Sequence, residues 1–264
     1  MNSDSGSTAL DSHVEKWLAQ EPEMEIALVF AGAGRQRARL WGALENEWLD
    51  AVFGLSDPGV AQAKLAWWGE SLAVAGSGHP LVHAFAQETG DAVPAALWQA
   101  VTDAALALAG LDTAPADVAA LISSRLPLAA ALVAVETALW PQAGAGDAQA
   151  LARSLILRQW RRHRIGELPQ PGWLPLQLLA RHGLRAQAAY AHEDMAASNR
   201  LFADLAAALL ALPAMAAGPR LRRVRTRFDG RILARLSRGH AKPFSEAGLV
   251  VLWQCWRGAR GVPA

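Results

Sequence analysis

Two short stretches concentrate side chains that could do chemistry. The first, "ALENEWLD", brings Glu45, Glu47 and Asp50 close together. Carboxylates grouped in this way suit a hard divalent cation, which takes oxygen ligands. The second, "LILRQWRRHR" from Leu155 to Arg164, sets an apolar run against a run of cations and contains no carboxylate. Nucleic acid, a lipid surface, a diphosphate or no partner at all is open for such a segment.

Both stretches have helical spacing, and a helix advances about 100° per residue. In the second, Ala152, Leu155, Ile156, Gln159 and His163 share a predominantly apolar face, while Ser154, Arg158, Arg161 and Arg162 cluster elsewhere. In the first, Trp41, Leu44, Trp48, Ala51 and Val52 form the apolar stripe. Glu47 and Asp50 lie off one side of it, where they can hold a metal or simply face water.

Several other motifs carry less. "EIALVFAGAGRQRARL" imitates the strand, glycine turn and helix of a dinucleotide site, but Arg37 stands where the third glycine belongs and no parallel strands follow. His79 and His83 are four apart, yet His79 precedes Pro80 and so belongs at or just outside a helix cap. His192, Glu193 and Asp194 diverge around a helix and read as solvated surface. "GSG" at Gly76 to Gly78 lacks the flanking pattern of a nucleophile elbow. "RLRRVRTRFDGRILARLSRGHAK", Arg220 to Lys242, could hold phosphates or an anionic membrane surface, but reads first as a solvated face whose arginine stems cover the bundle. Its few interleaved aromatics argue against nucleic acid.

The elements that must position these residues are helices. Alanine, leucine and arginine dominate, apolar residues recur at helical spacing, and β-branched alternation is nearly absent. Helices are predicted at about 12–20, 35–53, 58–75, 80–90, 94–109, 115–139, 147–164, 175–181, 184–190, 196–213, 220–238 and 244–259. No break is long enough for an obvious linker, so an all-α chain in one bundle is expected. Residues 1–12 read as a disordered polar tail and 13–264 as the helical domain.

With 52% hydrophobic and 19% charged residues the chain is globular. The lone Cys255 excludes an internal disulfide and fits a reducing, cytoplasmic setting. Apolar runs such as Leu126 to Val135 and Leu205 to Ala217 fall short of the roughly 20 residues a spanning helix needs, which leaves peripheral membrane contact open. Net charge is +1, but residues 1–132 carry 6 Lys/Arg against 16 Asp/Glu, and residues 133–264 carry 19 against 8. Either two parts of one domain attract each other, or a basic surface awaits an anionic partner.

Three blocks in order resemble the squalene/phytoene synthase family. The first runs from "RQRARLWGALENEWLD" through "KLAWWGESL" (Lys64 to Leu72) to "GHPLVHAF"; the second is "LARSLILRQWRRHRIGELPQPGWLPLQLLARHGL"; the third is the basic helix with "LVVLWQCWRG". The resemblance implies an isoprenoid-synthase-like helical bundle around a central cavity. Enzymes of that family join prenyl diphosphates, with Mg²⁺ held between two aspartate-rich helices to draw off diphosphate. In this chain the resemblance puts the first motif at Leu49, Asp50 and Phe53 and the second at Gln159 and His163, so most of the aspartates are replaced. It also makes Arg35, Arg158, Arg161 and Arg162 candidates for holding diphosphate.

Two functions are therefore expected of such a chain. One is a catalytically degenerate member, a pseudoenzyme, that keeps its bundle to bind a protein partner or a prenyl or other lipid. A non-enzymatic branch that includes an assembly factor for respiratory complex I is similar in the tryptophan-pair block. On this reading no cofactor is expected. The other is an active Mg²⁺-dependent prenyltransferase with a metal site rearranged around Glu45, Glu47 and Asp50.

Overall fold

The computed structural model describes residues 3–74, 78–163, 173–240 and 248–260; for residues 3–8, 163, 248 and 249 the description covers the backbone alone. Helices follow one another throughout, with no strand among the described residues. They are α1 (Ser3–Gln20), α2 (Glu23–Val29), α3 (Arg35–Phe53), α4 (Pro58–Ala73), α5 (Pro80–Thr89), α6 (Ala95–Ala109) and α7 (Val118–Ser123). After these come α8 (Leu126–Leu139), α9 (Ala148–His163), α10 (Leu176–Arg181), α11 (Ala186–Ala191), α12 (Met195–Leu210), α13 (Arg220–Leu236) and α14 (Gly248–Ala259).

Local chemistry sets many of the starts. The Asp57 carboxylate accepts from Gly59 and Val60 N–H groups ahead of α4, with Pro58 at the first position. Asp117 and Asp194 cap α7 and α12 in the same way, and the Asp147 carboxylate accepts from Ala150 N–H in α9. His79 caps α5, its Nδ1 accepting from Leu81 N–H at 3.2 Å, while His83 pairs with Gln87.

Three segments differ from expectation. The amino-terminal dozen residues, expected as a disordered tail, are helical from Ser3 onward; Leu10 packs against the core and Asp11 pairs with Arg39. The stretch from Glu25 that imitates a strand lies in α2 (Glu23–Val29), with Met24, Ala27 and Leu28 buried on one side. The single helix expected at about 115–139 is broken at Ser124–Arg125 into α7 and α8. Val118–Leu139 taken together is long and apolar enough to cross a membrane by length and composition, yet Arg125 at its break is buried inside the fold.

Two apolar clusters form the interior. The larger joins α1 to α6 with α8 and the first half of α9; the smaller gathers the second half of α9 with α10, α12 and the end of α13. Leu151, Ala152 and Leu155 belong to the first cluster and Ile156, Leu157 and Trp160 to the second. Likewise Leu221, Val224 and Phe228 of α13 belong to the first, and Ile232, Leu233 and Leu236 to the second. Helices α9 and α13 also pack on each other. They form the shared wall of both clusters, so charged residues on either helix are carried into the interior.

Close approaches tighten the larger cluster. A Cβ on Gly42 would stand 2.3 Å from the Trp17 ring, and one on Gly69 would stand 2.3 Å from Thr102 Oγ1. Only glycine admits those neighbours, and they lock α1 onto α3 and α4 onto α6.

Candidate functional site

The face expected for α9 is not what the fold produces. Every residue from Ala150 to Trp160 is buried, including Arg153, Ser154 and Arg158, because the helix is wedged between two apolar clusters. A guanidinium in such a place needs a counter-charge or hydrogen bonds, since burying it alone is very costly. Most of the answer lies on α1, α3 and α8.

Glu21, just past the end of α1, lies at the centre of a buried network. Arg158 Nε donates to its Oε1 at 2.7 Å, Trp17 Nε1 to its Oε2 at 2.7 Å, and Arg225 of α13 also bonds Oε2. Arg158 reaches Glu45 of α3 as well, with Nη1 2.9 Å from Oε1. Arg222 of α13 donates to the same Glu45 oxygen at 2.7 Å and, through Nε, to Glu136 of α8 at 2.9 Å. Trp41 Nε1 donates to the same Glu136 oxygen, Oε1, at 2.8 Å. Glu21, Glu45 and Glu136 thus meet Arg158, Arg222 and Arg225, one charge for one, with no residue of the six more than 4% exposed.

The electrostatics follow from that arrangement. Burial by itself would raise the Glu45 carboxyl, but Arg158 and Arg222 overcome it and hold the group at about 2. Glu21 is likewise held well below the usual carboxylate range, against its burial, by Arg158 and Arg225. Burial and the neighbouring Arg225 bring Arg158 down to about 10 despite Glu21 and Glu45. Arg222 goes the other way: Glu136 and Glu45 outweigh its burial and raise it.

The remaining acidic candidates belong to a second, outer cluster. Glu47 accepts from Lys16 and Lys64, each at 3.1 Å, and lies 3.1 Å from His13 Nδ1. Asp50 pairs with Lys16 at 2.5 Å and with Arg162 at 3.3 Å. Both carboxyls are kept low by these partners, Glu47 through His13, Lys64 and Lys16, and Asp50 through Lys16 and Arg162, against the opposing effect of burial. The structure thus brings Glu47 and Asp50 onto one lysine and sends Glu45 to a different network.

Three of the four candidate diphosphate ligands are also engaged. Besides Arg158 and Arg162, Arg161 pairs with Glu23 at 2.5 Å, and Arg162 donates to Asn46 Oδ1 at 2.6 Å. Arg35 is exposed at the first position of α3 and has no ion pair among the described residues. Leu49 and Phe53 lie in the larger apolar cluster. Gln159 is buried, its Oε1 accepting from Arg125 Nη2 at 3.0 Å, so it is directed at the α7–α8 break instead of at α3. His163 ends α9, and its side chain lies outside the described residues.

The basic stretch from Arg220 divides in the same way. Arg222 and Arg225 are buried, which overturns the solvated-face reading for those two; Arg220 is exposed, and Lys242 lies outside the described residues. Cys255 is buried, and that burial pushes its thiol up to about 12, which keeps it unreactive.

Sequence reasoning missed Glu21, Glu136, Arg222 and Arg225 as members of one network. Glu136 had a signal: it is the single charge within the apolar run "LPLAAALVAVETAL" and therefore needed a buried partner. Among the described residues no group of three or more His, Cys, Asp or Glu side chains is placed to hold a metal ion. No family model, curated protein or solved structure matches the chain.

Proposed function

We propose that this chain is a catalytically silent relative of the squalene/phytoene synthases that keeps its helical bundle for binding, of a protein partner or of a prenyl or other lipid. One observation carries the reading. Helices α3 and α9 face each other through charged side chains, and at that junction Arg158 pairs directly with Glu45 and Arg162 with Asp50. Where the resemblance implies two acidic helices with a cation between them, one helix supplies the cations itself.

A magnesium ion there would need oxygen ligands not already held by cations. Glu45 sits between Arg158 and Arg222, and Glu47 and Asp50 are held by Lys16, Lys64, His13 and Arg162. The donor set does not fit the ion, and no catalytic step is derived through it. A diphosphate meets the mirror-image obstacle, since Arg158, Arg161 and Arg162 each already have a carboxylate. At this junction the acidic first half and the basic second half meet inside the fold as ion pairs.

The test is direct. Purified protein given Mg²⁺ and farnesyl or geranylgeranyl diphosphate is expected to release no diphosphate above a boiled control. Release that depends on Mg²⁺ and is lost in Glu47→Gln or Asp50→Asn would reinstate the prenyltransferase with a rearranged metal site.

A further inference from the structure

A cleft of about 660 Å³ opens between the end of α12, helix α13 and helix α14, well within the roughly 300–1,000 Å³ range of small-molecule sites. Its lining is one-signed. Five guanidinium groups border it, from Arg153, Arg223, Arg227, Arg231 and Arg257, and no carboxylate does among the described residues.

Arg153 is the informative member. It is 2% exposed, yet among the described residues no carboxylate lies within ion-pair distance of it. It donates weakly to the backbone carbonyls of Leu212 (3.2 Å) and Thr226 (3.4 Å), and its Nε has no hydrogen-bond partner. Burial pushes its pKa down, and the more distant Asp229 and Asp147 only partly restore it. This contrasts with Arg158 five residues further on, which has two carboxylates. Arg223 is similar to Arg153 in kind: its bonds go to the carbonyls of Gly218, Gly258 and Ala259.

Apart from Thr226 and Gln254, whose Oε1 accepts from Arg227 Nε at 3.0 Å, the rest of the described lining is apolar. Leu212, Met215 and the half-exposed Trp253 supply apolar surface beside the cations, with the Arg257 guanidinium lying over the Trp253 ring at 4.8 Å. Gly230 lies within α13 and lines the same space, and a Cβ built there meets nothing within 4 Å. No neighbour requires glycine, and in a helix interior it costs about 1 kcal/mol relative to alanine. What its missing side chain does is keep the cleft open.

We propose that this cleft binds a phosphate-headed amphiphile with a single apolar chain, the head at Arg153 and Arg223 and the chain along Leu212, Met215 and Trp253. A buried cation lacking a carboxylate is completed by an anionic head, and the apolar side accounts for the chain. The proposal deepens the binding reading above by naming a site and a ligand class. It can fail separately from that reading, because cleft occupancy and diphosphate release are read in different assays.

Calorimetry on the full chain tests it, with dodecyl phosphate below its micellar concentration as probe, against inorganic phosphate (head alone) and dodecyl maltoside (chain with an uncharged head). Dodecyl phosphate is expected to bind at one site, at least about tenfold tighter than either control. Gly230→Leu, which fills the cleft and improves the helix, is expected to weaken that binding by at least about tenfold with unchanged or raised thermal stability. Arg153→Met is expected to weaken it too, and Gly230→Leu carries the test if Arg153→Met does not fold. Flotation with vesicles carrying lysophosphatidic acid, a single-chain phosphate-headed lipid, distinguishes the source: binding lost in Gly230→Leu assigns the head to a bilayer lipid, and no vesicle binding alongside tight dodecyl phosphate binding assigns it to a free amphiphile. Dodecyl phosphate bound no tighter than dodecyl maltoside, or equally well by Gly230→Leu, overturns the proposal.

Discussion

Helix α3 carries Glu45 and Glu47 two residues apart, and the two belong to different physical regimes. Positions two apart on a helix point to nearly opposite sides. Glu45 therefore enters the interior, where its side chain and those of Arg158 and Arg222 are at most 2% exposed. Glu47 turns toward α1 and α4, and although its own side chain is covered, its partners Lys16 and Lys64 are 43% and 31% exposed. The inner pairing has no water to fall back on when a partner is removed; the outer one does. The comparison teaches that a cluster of carboxylates in a sequence is not one site until the helix faces have been assigned.

The largest expected effect comes from breaking the inner network. Glu45→Gln removes one carboxylate from beneath two buried guanidiniums and is expected to cost about 3–5 kcal/mol in urea denaturation. A cost below about 1 kcal/mol would show that the inner pairing is no different from the outer. Acid should act next most strongly. A carboxyl depressed in the folded state stabilises above its unfolded value and loses that contribution as pH falls through the folded value. For Glu45 the window runs from the ordinary 4.5 to about 2, which corresponds to about 3 kcal/mol. Denaturation midpoints should therefore drop steeply below about pH 4.5, with Glu21 adding to the loss. Asp229 works in the opposite sense: burial raises its carboxyl against Ser154 and Arg225, so its protonation favours the fold and offsets part of the drop.

A steric change separates packing from charge. Gly42→Ala would push a methyl into the Trp17 ring, whose Nε1 donates to Glu21, and is expected to lower stability by about 1–3 kcal/mol. Trp17 fluorescence cannot be isolated among 11 tryptophans, so the readout is the thermal midpoint. The smallest effect belongs to the outer cluster. Glu47→Gln is expected to cost about 1 kcal/mol, and that cost should shrink in 1 M NaCl, where screening acts over about 3 Å. The Glu45→Gln cost should persist at the same salt concentration, and loss of both together would remove the distinction.

Much of the fold was legible because helical periodicity is local. Pro58, Pro80 and His79 marked helix starts by themselves, and the apolar stripe of Trp41, Leu44, Trp48, Ala51 and Val52 is buried as expected. Less legible was anything set by contact between distant segments. The α7–α8 break has a local signal in Pro127 at the start of α8, but the placing of Arg125 there does not, since Gln159, 34 residues later, holds it. The start of α1 depends on Leu10 reaching the core and Asp11 reaching Arg39. At the site, Glu45, Arg158, Arg161 and Arg162 were visible as charged candidates, but their partners were not. The expectation that the arginines of α9 stand apart from its buried face failed because α9 has two apolar neighbours instead of one.

The sequence by itself determined an all-α chain with acidic residues concentrated in its first half and basic ones in its second, because composition and 3.6-residue periodicity act within a few turns. It also contained the means to neutralise itself. Only the tertiary structure decided which carboxylate meets which guanidinium: Glu45 and Arg222 are 177 residues apart, and Glu21 and Arg225 are 204 apart. Charge attraction has no sequence register, so the wedge of α9 and α13 between two apolar clusters chose the partners. The same wedge left Arg153 buried with no carboxylate within ion-pair distance among the described residues.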